Sequence, residues 1–235
     1  YVGNGPAGRE IPHELDAVPG MIWVKKLDQG NEDWAVYHKS VGKEYAMTLN
    51  SDSNRDQQSI YWNDTAPTST HFTVGGSNRV NSSGSSPNYI AYLFADNEEA
   101  FGDDGKQSIM KLDEYPGNSA NNLINCGWES QIQIYKNFIT GSTEWCISSS
   151  TLGYRVPHTS GVATSPNSSD CTHLEPSSNA QNTQNRRLYQ DPLGFKWNAE
   201  ARSDCNSNGQ TYMFMAIRSS TGKVSKPFKD VTGSD

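Results

Sequence analysis

Five histidines, four cysteines and a scatter of carboxylates are the groups from which this 235-residue chain could build chemistry. His38 closes the run Trp34-Ala35-Val36-Tyr37, a strand end where an imidazole can serve as a base. A base needs a nucleophile or substrate proton to act on, so a histidine packed at a sheet rim is the simpler reading. His158, Asp170, Cys171 and His173 gather metal-capable donors in one polar stretch. Their spacing fits none of the zinc layouts, in which closely spaced ligand pairs recur further along the chain. Asp103-Asp104 lies between glycines but lacks the alternating acids of a calcium loop. No Gly-x-Ser-x-Gly elbow, Walker loop, dinucleotide fingerprint or His-Glu-x-x-His helix occurs. Paired acids for glycoside cleavage stay open, because two carboxylates need only meet in space. The expectation is a chain with no catalytic residues, no metal and no cofactor.

Aromatic side chains give the stronger signal. Tyr61-Trp62 runs into the turn Asn63-Asp64-Thr65-Ala66-Pro67-Thr68, and Trp197 ends the segment Phe195-Lys196-Trp197. Ring faces stack on sugars while Asn and Asp bond hydroxyls. Tyr61, Trp62, Asn63, Asp64 and Trp197, with His158 and His173 on the polar stretch, therefore form the candidate contact for a glycan or receptor. The competing reading is that the rings are core, as most tryptophans are largely buried. The triplets starting at Asn63, Asn81 and Asn167 are formal glycosylation acceptors, which a chain rich in Asn and Ser produces by chance.

Composition bounds what must position these groups. With 19 basic and 26 acidic residues the net charge is −7, which argues against a polyanion-binding surface and hence against nucleic acid. No apolar run approaches the roughly 20 residues of a membrane-spanning helix, so no membrane insertion is expected. Turn formers are abundant, yet aromatic residues make up 10%, more than a solvated coil carries. A chain that is 34% hydrophobic at this length can bury one large core or two small ones.

Self-similarity decides for two. Tyr1-Val2-Gly3-Asn4 returns as Tyr115-Pro116-Gly117-Asn118, and Met21–Lys25 as Ile132–Lys136 with Trp34 and Trp145 at one offset. His71–Val74 returns as Gly194–Trp197, Val80–Gly84 as Cys205–Gly209, and Tyr89–Leu93 as Tyr212–Ala216. Each block is short, rich in aromatic and β-branched residues and bounded by Gly, Asn, Asp or Pro, which reads as a strand. The spacing predicts an all-β chain of two tandem antiparallel, jelly-roll-like β-sandwich repeats with little helix. Repeat one spans 1–96, a linker 97–107, repeat two 108–219, and a tail 220–235. Repeat two carries a leading strand at Ser108–Glu114 that repeat one lacks, so upstream residues or another subunit are expected to supply it. Repeat two also carries an insertion of about a dozen residues within Gly153–Gln190, expected as a long surface loop. Cys126, Cys146 and Cys205 align with Leu15, Ala35 and Val80, which predicts reduced core thiols, with a disulfide as the alternative.

The blocks Pro19–Lys25, Trp34–Ser40, Tyr61–Thr68 and Tyr89–Ala95 together resemble a repeated domain of uncharacterised function common in tailed-phage virion proteins, notably tail fibres of marine phages. The resemblance covers nearly the whole chain, repeat one closely and repeat two loosely. Repeat two departs at Ser130-Gln131, where repeat one has Pro19-Gly20, and in its insertion. It implies a virion location, assembly in the host cytoplasm, homo-oligomers (trimers by preference) and contact with other virion proteins. It carries no catalytic residues. The expected function is a tail fibre or similar appendage with host contact through the 153–190 loop. The alternatives are a carbohydrate-binding module for a cell-surface polysaccharide and a capsid decoration protein.

Overall fold

The computed structural model describes residues 1–28, 32–96, 107–140, 143–149, 173–175, 180–182, 188–197 and 203–218. Among them the regular structure is almost wholly antiparallel strand, with three single-turn helices, in an all-β sandwich fold. It divides into two compact units, 1–96 with Phe138–Thr143 and the remainder.

Unit 1 runs β1 (Arg9–Pro12), β2 (Pro19–Lys26), β3 (Ala35–His38), β4 (Tyr45–Thr48), β5 (Asp56–Gln57), α1 (Ser59–Trp62), β6 (His71–Val74), α2 (Asn78–Asn81) and β7 (Tyr89–Ala95). The large sheet has the order β5-β4-β3-β2-β7, and β1 pairs with β6 to form the second layer. Between them lie Ile22, Val24, Ala35, Tyr37 and Ala46 from the large sheet and Ile11, Phe72 and Val74 from the small one. Successive strand residues point to opposite faces, so Ile22 and Val24 turn inward while Trp23 turns out. One helical turn has no stability of its own. α1 is held because Tyr61 and Trp62 enter the core and because Gly75 lets the end of β6 cross it closely. A Cβ at Gly75 would stand 2.2 Å from the Ile60 carbonyl oxygen.

Unit 2 runs β8 (Met110–Pro116), β9 (Asn122–Asn125), β10 (Ser130–Asn137), β11 (Cys146–Ser149), β12 (His173–Glu175), β13 (Ala180–Asn182), β14 (Leu188–Asp191), β15 (Gly194–Trp197), α3 (Ser203–Asn206) and β16 (Thr211–Arg218). Its sheets have the orders β13-β12-β11-β10-β16-β8 and β14-β15-β9. Strand registers give the equivalences directly: Val24 faces Ala35 as Tyr135 faces Cys146, and Ile11 faces Phe72 as Ile124 faces Phe195. The two cores conserve volume by exchange. Where unit 1 has Val24 and Val74, unit 2 has Tyr135 and Trp197, packed edge to face at 5.0 Å. Where unit 1 has Tyr37, edge-on to Trp62 at 5.9 Å, unit 2 has Ser148 beside the Tyr135 hydroxyl.

Both units are locked by one device. The ring of Tyr1 stacks on Tyr89 at 5.1 Å and its hydroxyl donates to the Val80 carbonyl. Tyr115 stacks on Tyr212 at 5.1 Å and donates to the Cys205 carbonyl. Asn81, fully buried, accepts from the Asn4 N–H and donates to the Pro6 carbonyl. Asn206 accepts from the Asn118 N–H and donates to the Ala120 carbonyl. The intervening Gly3 and Gly117 pass so close to the Ser82 and Ser207 carbonyls (2.7 and 2.2 Å from an added Cβ) that a side chain would collide with backbone. The Tyr-x-Gly-Asn recurrence is thus a clip between the segment leading into β1 or β9 and the late single-turn helix of the same unit.

Three expectations change. β8 runs Met110–Pro116, two residues later than Ser108–Glu114. The stretch 153–190, expected as a loop, contains β12 and β13, which extend the sheet from β11 as β4 and β5 extend it from β3. The extra sequence falls at 150–172, between β11 and β12, outside the described residues. Cys126 occupies the place of His13 rather than Leu15: its N–H bonds the Leu193 carbonyl as that of His13 bonds Thr70. The connection from β9 to β10 is shorter than that from β1 to β2, which counting back from the next block conceals.

Candidate functional site

The sequence-predicted residues divide between the two units. Tyr61, Trp62, Asn63 and Asp64 sit on α1 and the turn that ends it. Asn63 adopts φ 52° and its N–H bonds the Ser59 carbonyl at 2.7 Å, and Asp64 follows at φ 48°. Asn and Asp tolerate this left-handed backbone better than other side chains, and both are exposed. Tyr61, Trp62 and Trp197 are 5%, 2% and 0% exposed, so none presents a ring face to a sugar. Their expected stacking role is corrected to packing: α1 turns both its rings inward, and Trp197 fills the volume that Val74 leaves to other side chains in unit 1. His173 lies in β12 opposite Ser148, and His158 lies outside the described residues, as do Asp103, Asp104, Asp170 and Cys171.

What surrounds Tyr61 is polar and ordered. Its hydroxyl donates to Asp56 Oδ2 at 3.1 Å, and the Arg79 guanidinium stands 6.0 Å from its ring centre. Arg79 in turn bonds Asp33 Oδ2 at 2.7 Å and Thr48 Oγ1 at 2.9 Å. Asn50 completes the chain, donating to Asp33 Oδ1 and accepting from the Trp34 N–H. Burial and the Asp56 and Asp33 charges hold the Tyr61 phenol above its ordinary pKa against the opposing pull of Arg79. The phenol is therefore a donor at neutral pH, and the network ties the β4–β5 end of the sheet to α1 and α2.

His38 is fully buried, its Nδ1 accepting from the Ser40 N–H, which removes it as a solvent-facing base. Its equivalent in unit 2 is Ser149: His38 pairs with Met21 of β2 as Ser149 pairs with Ile132 of β10. A second histidine pair was not singled out by the sequence. His13 accepts from the Leu15 N–H at Nδ1 and reaches the Thr68 carbonyl through Nε2, contacts that suit the Nε2–H tautomer. His71 lies 3.4 Å from Glu10 Oε1 and 3.1 Å from the Thr68 and Thr70 hydroxyls. No short motif joins these residues; pairing of β1 with β6 brings them together.

The sequence also passed over the outer face of the large sheet. Trp23 packs on Phe94 at 4.8 Å, and Trp34 lies 6.1 Å from Tyr92, which is 46% exposed. The usable signal was Ile90, Tyr92 and Phe94 at alternate positions of β7, opposite the face that carries Ala91 and Leu93.

Cys126, Cys146 and Cys205 are buried thiols. Burial pushes the Cys126 thiol up to about 12. A raised thiol keeps its proton through neutral pH, and the thiolate is the reactive form. We expect iodoacetamide at pH 8 to leave all three unmodified in the folded chain and to label them after denaturation. Rapid labelling of any of them under native conditions contradicts the buried-thiol description.

Among the described residues no three His, Cys, Asp or Glu side chains converge as a metal-binding group. No helix there is long and apolar enough to cross a membrane. No curated protein and no solved structure matches the chain. A family model, described as a domain of unknown function (DUF7483), matches residues 1–220 and so spans both units. The match takes in both copies of the sandwich, and this chain belongs to the DUF7483 family.

Proposed function

We propose that the chain is a non-enzymatic structural component of a tailed-phage particle, a tail fibre or similar surface appendage assembled in the host cytoplasm. It acts there as a homo-oligomer, by preference a trimer, beside other virion proteins, with host contact through the stretch 153–190. One observation carries the reading: the same sandwich is built twice, and in both copies the buried asparagine and tyrosine hydroxyl are committed to backbone groups of the fold. Side chains tied up in this way serve persistence rather than turnover, as a particle exposed to dilution requires. The resemblance of Pro19–Lys25, Trp34–Ser40, Tyr61–Thr68 and Tyr89–Ala95 to phage virion domains supports the same reading. Mass spectrometry of gradient-banded, nuclease-treated particles tests it. Recovery of peptides from both units in fixed ratio to the major particle proteins is the expected result; their absence from intact particles overturns it.

A carbohydrate-binding role is the second reading, favoured by the exposed Tyr92 beside the half-buried Trp34, with Asn50 and Asp33 nearby. Affinity electrophoresis of the chain through host polysaccharide, compared with Tyr92→Ala, supports it only if retardation occurs and is lost in the variant.

A further inference from the structure

β7 ends the large sheet of unit 1, whereas its counterpart β16 is flanked by β8 along seven paired positions. The difference leaves marks on the core. Phe214 and Ala216, behind β8, are 1% and 0% exposed. Their equivalents Ala91 and Leu93 belong to the core of unit 1 yet are only partly buried. The backbone tells the same story. Tyr89 exchanges both its N–H and C=O with Tyr1, so in an antiparallel ladder Ala91 and Leu93 present theirs to the same side. Among the described residues no strand meets them there.

Edge strands are normally blunted by charge, proline or shortness. β7 is Tyr-Ile-Ala-Tyr-Leu-Phe-Ala, seven residues without a charge or a proline. Tyr1 already stands in the ladder at the place of Tyr115: it pairs with Tyr89 as Tyr115 pairs with Tyr212, and Val2 bridges Asn88 as Pro116 faces Thr211. A strand entering Tyr1 from its amino side would continue along β7 in the β8 register, with no turn to make.

We propose that the open edge of β7 accepts one further antiparallel strand, running directly into Tyr1 and patterned like β8. The occupant belongs to the same polypeptide as unit 1, because the Tyr1–Tyr89 pair fixes both the direction and the register of the chain that enters it. β8 supplies the chemistry to expect. Residues equivalent to Met110 and Leu112 lie opposite Phe94 and Tyr92 on the outer face. Polar residues equivalent to Lys111 and Asp113 lie opposite Leu93 and Ala91. Lys111 shows what the polar position does: its ammonium reaches across to the Asn125 carbonyl of the small sheet, 3.1 Å away, and closes the side of the sandwich.

The test places a second copy of Ser108–Glu114 immediately ahead of Tyr1, leaving the native β8 intact, and follows amide exchange by NMR. A matched control carries Asp113→Pro in the added copy alone, which removes the ladder donor opposite Ala91. The expected result is slower exchange of the Ala91 and Leu93 amides by about tenfold or more in the first chain and not in the second. Unchanged exchange in both chains overturns the proposal. So does a chain of native sequence whose Ala91 and Leu93 amides become protected with rising protein concentration, which assigns the edge to a second copy.

Discussion

Replacing Asn206 by alanine is expected to destabilise unit 2 by about 3 kcal/mol, and Asn81→Ala to do the same in unit 1. Each side chain is buried and satisfies backbone groups that have no other partner in the clip. Asn206 also accepts from Asn122 Nδ2 at 2.9 Å, so its loss loosens the start of β9 as well. The cost comes from the bonds lost and the void left: truncation removes the partner of the Asn118 N–H, of the Ala120 carbonyl and of the Asn122 amide, each worth about 1 kcal/mol net. Aspartate is the informative companion substitution. It keeps the acceptor for Asn118 but loses the donor to Ala120 and brings a charge into a buried site. Both variants should therefore lower the midpoint of urea unfolding, read by exchange at amides of the affected unit. An unfolding free energy within about 0.5 kcal/mol of the parent for Asn206→Ala, the scatter of surface substitutions, contradicts the description of the clip.

Trp197→Ala is expected to cost about 4 kcal/mol, in the range for removing a buried aromatic and leaving a cavity. The ring is fully buried, edge-on to Tyr135 at 5.0 Å and to Phe195 at 6.3 Å. This substitution separates packing from recognition. A stacking platform loses ligand binding with little change in stability, whereas a core ring loses stability first. Trp197→Val copies Val74 of unit 1, but Tyr135 and Ser148 do not revert with it, so the single change still leaves a void. Tyr135→Val with Trp197→Val and Ser148→Tyr restores the unit 1 combination at those positions. It should recover part of the loss, as volume-conserving exchanges do.

How much of this was legible in the sequence depends on the kind of signal. The paired strands were, because Tyr-x-Gly-Asn, Trp34 with Trp145 and Tyr89–Leu93 with Tyr212–Ala216 preserve both residue type and order. The placing of Cys146 and Cys205 at Ala35 and Val80 followed, since no gap intervenes near them. Cys126 was misplaced because the short β9–β10 connection shifts the count without changing any recognisable block. Facing direction was the larger loss. Met21-Ile22-Trp23-Val24 is apolar throughout, so alternation cannot say that Ile22 and Val24 are core while Trp23 is not. Tyr61 and Trp62 precede a polar turn, which suggested exposure; in fact a single helical turn presents both to the core. The histidine pair and the Asp33–Arg79–Tyr61 chain join residues far apart in sequence. Only the strand pairing makes them neighbours.

Gly3 and Gly117 show the opposite case, a single-residue signal that can be read physically once the fold is known. Both are glycine because a serine carbonyl occupies the space of a side chain. The repetition of that constraint in two units explains why Tyr-x-Gly-Asn survived when most of the intervening sequence diverged.

The functional account stands or falls on whether the duplicated sandwich is displayed on a particle surface. Immunogold electron microscopy of purified phage, with antibody raised against the recombinant chain, asks this most directly. The account predicts gold at the tail or its fibres in intact particles. Label spread over the capsid shell identifies a decoration protein and contradicts the appendage assignment, and intact particles that bind no antibody while disrupted ones do contradict surface display altogether.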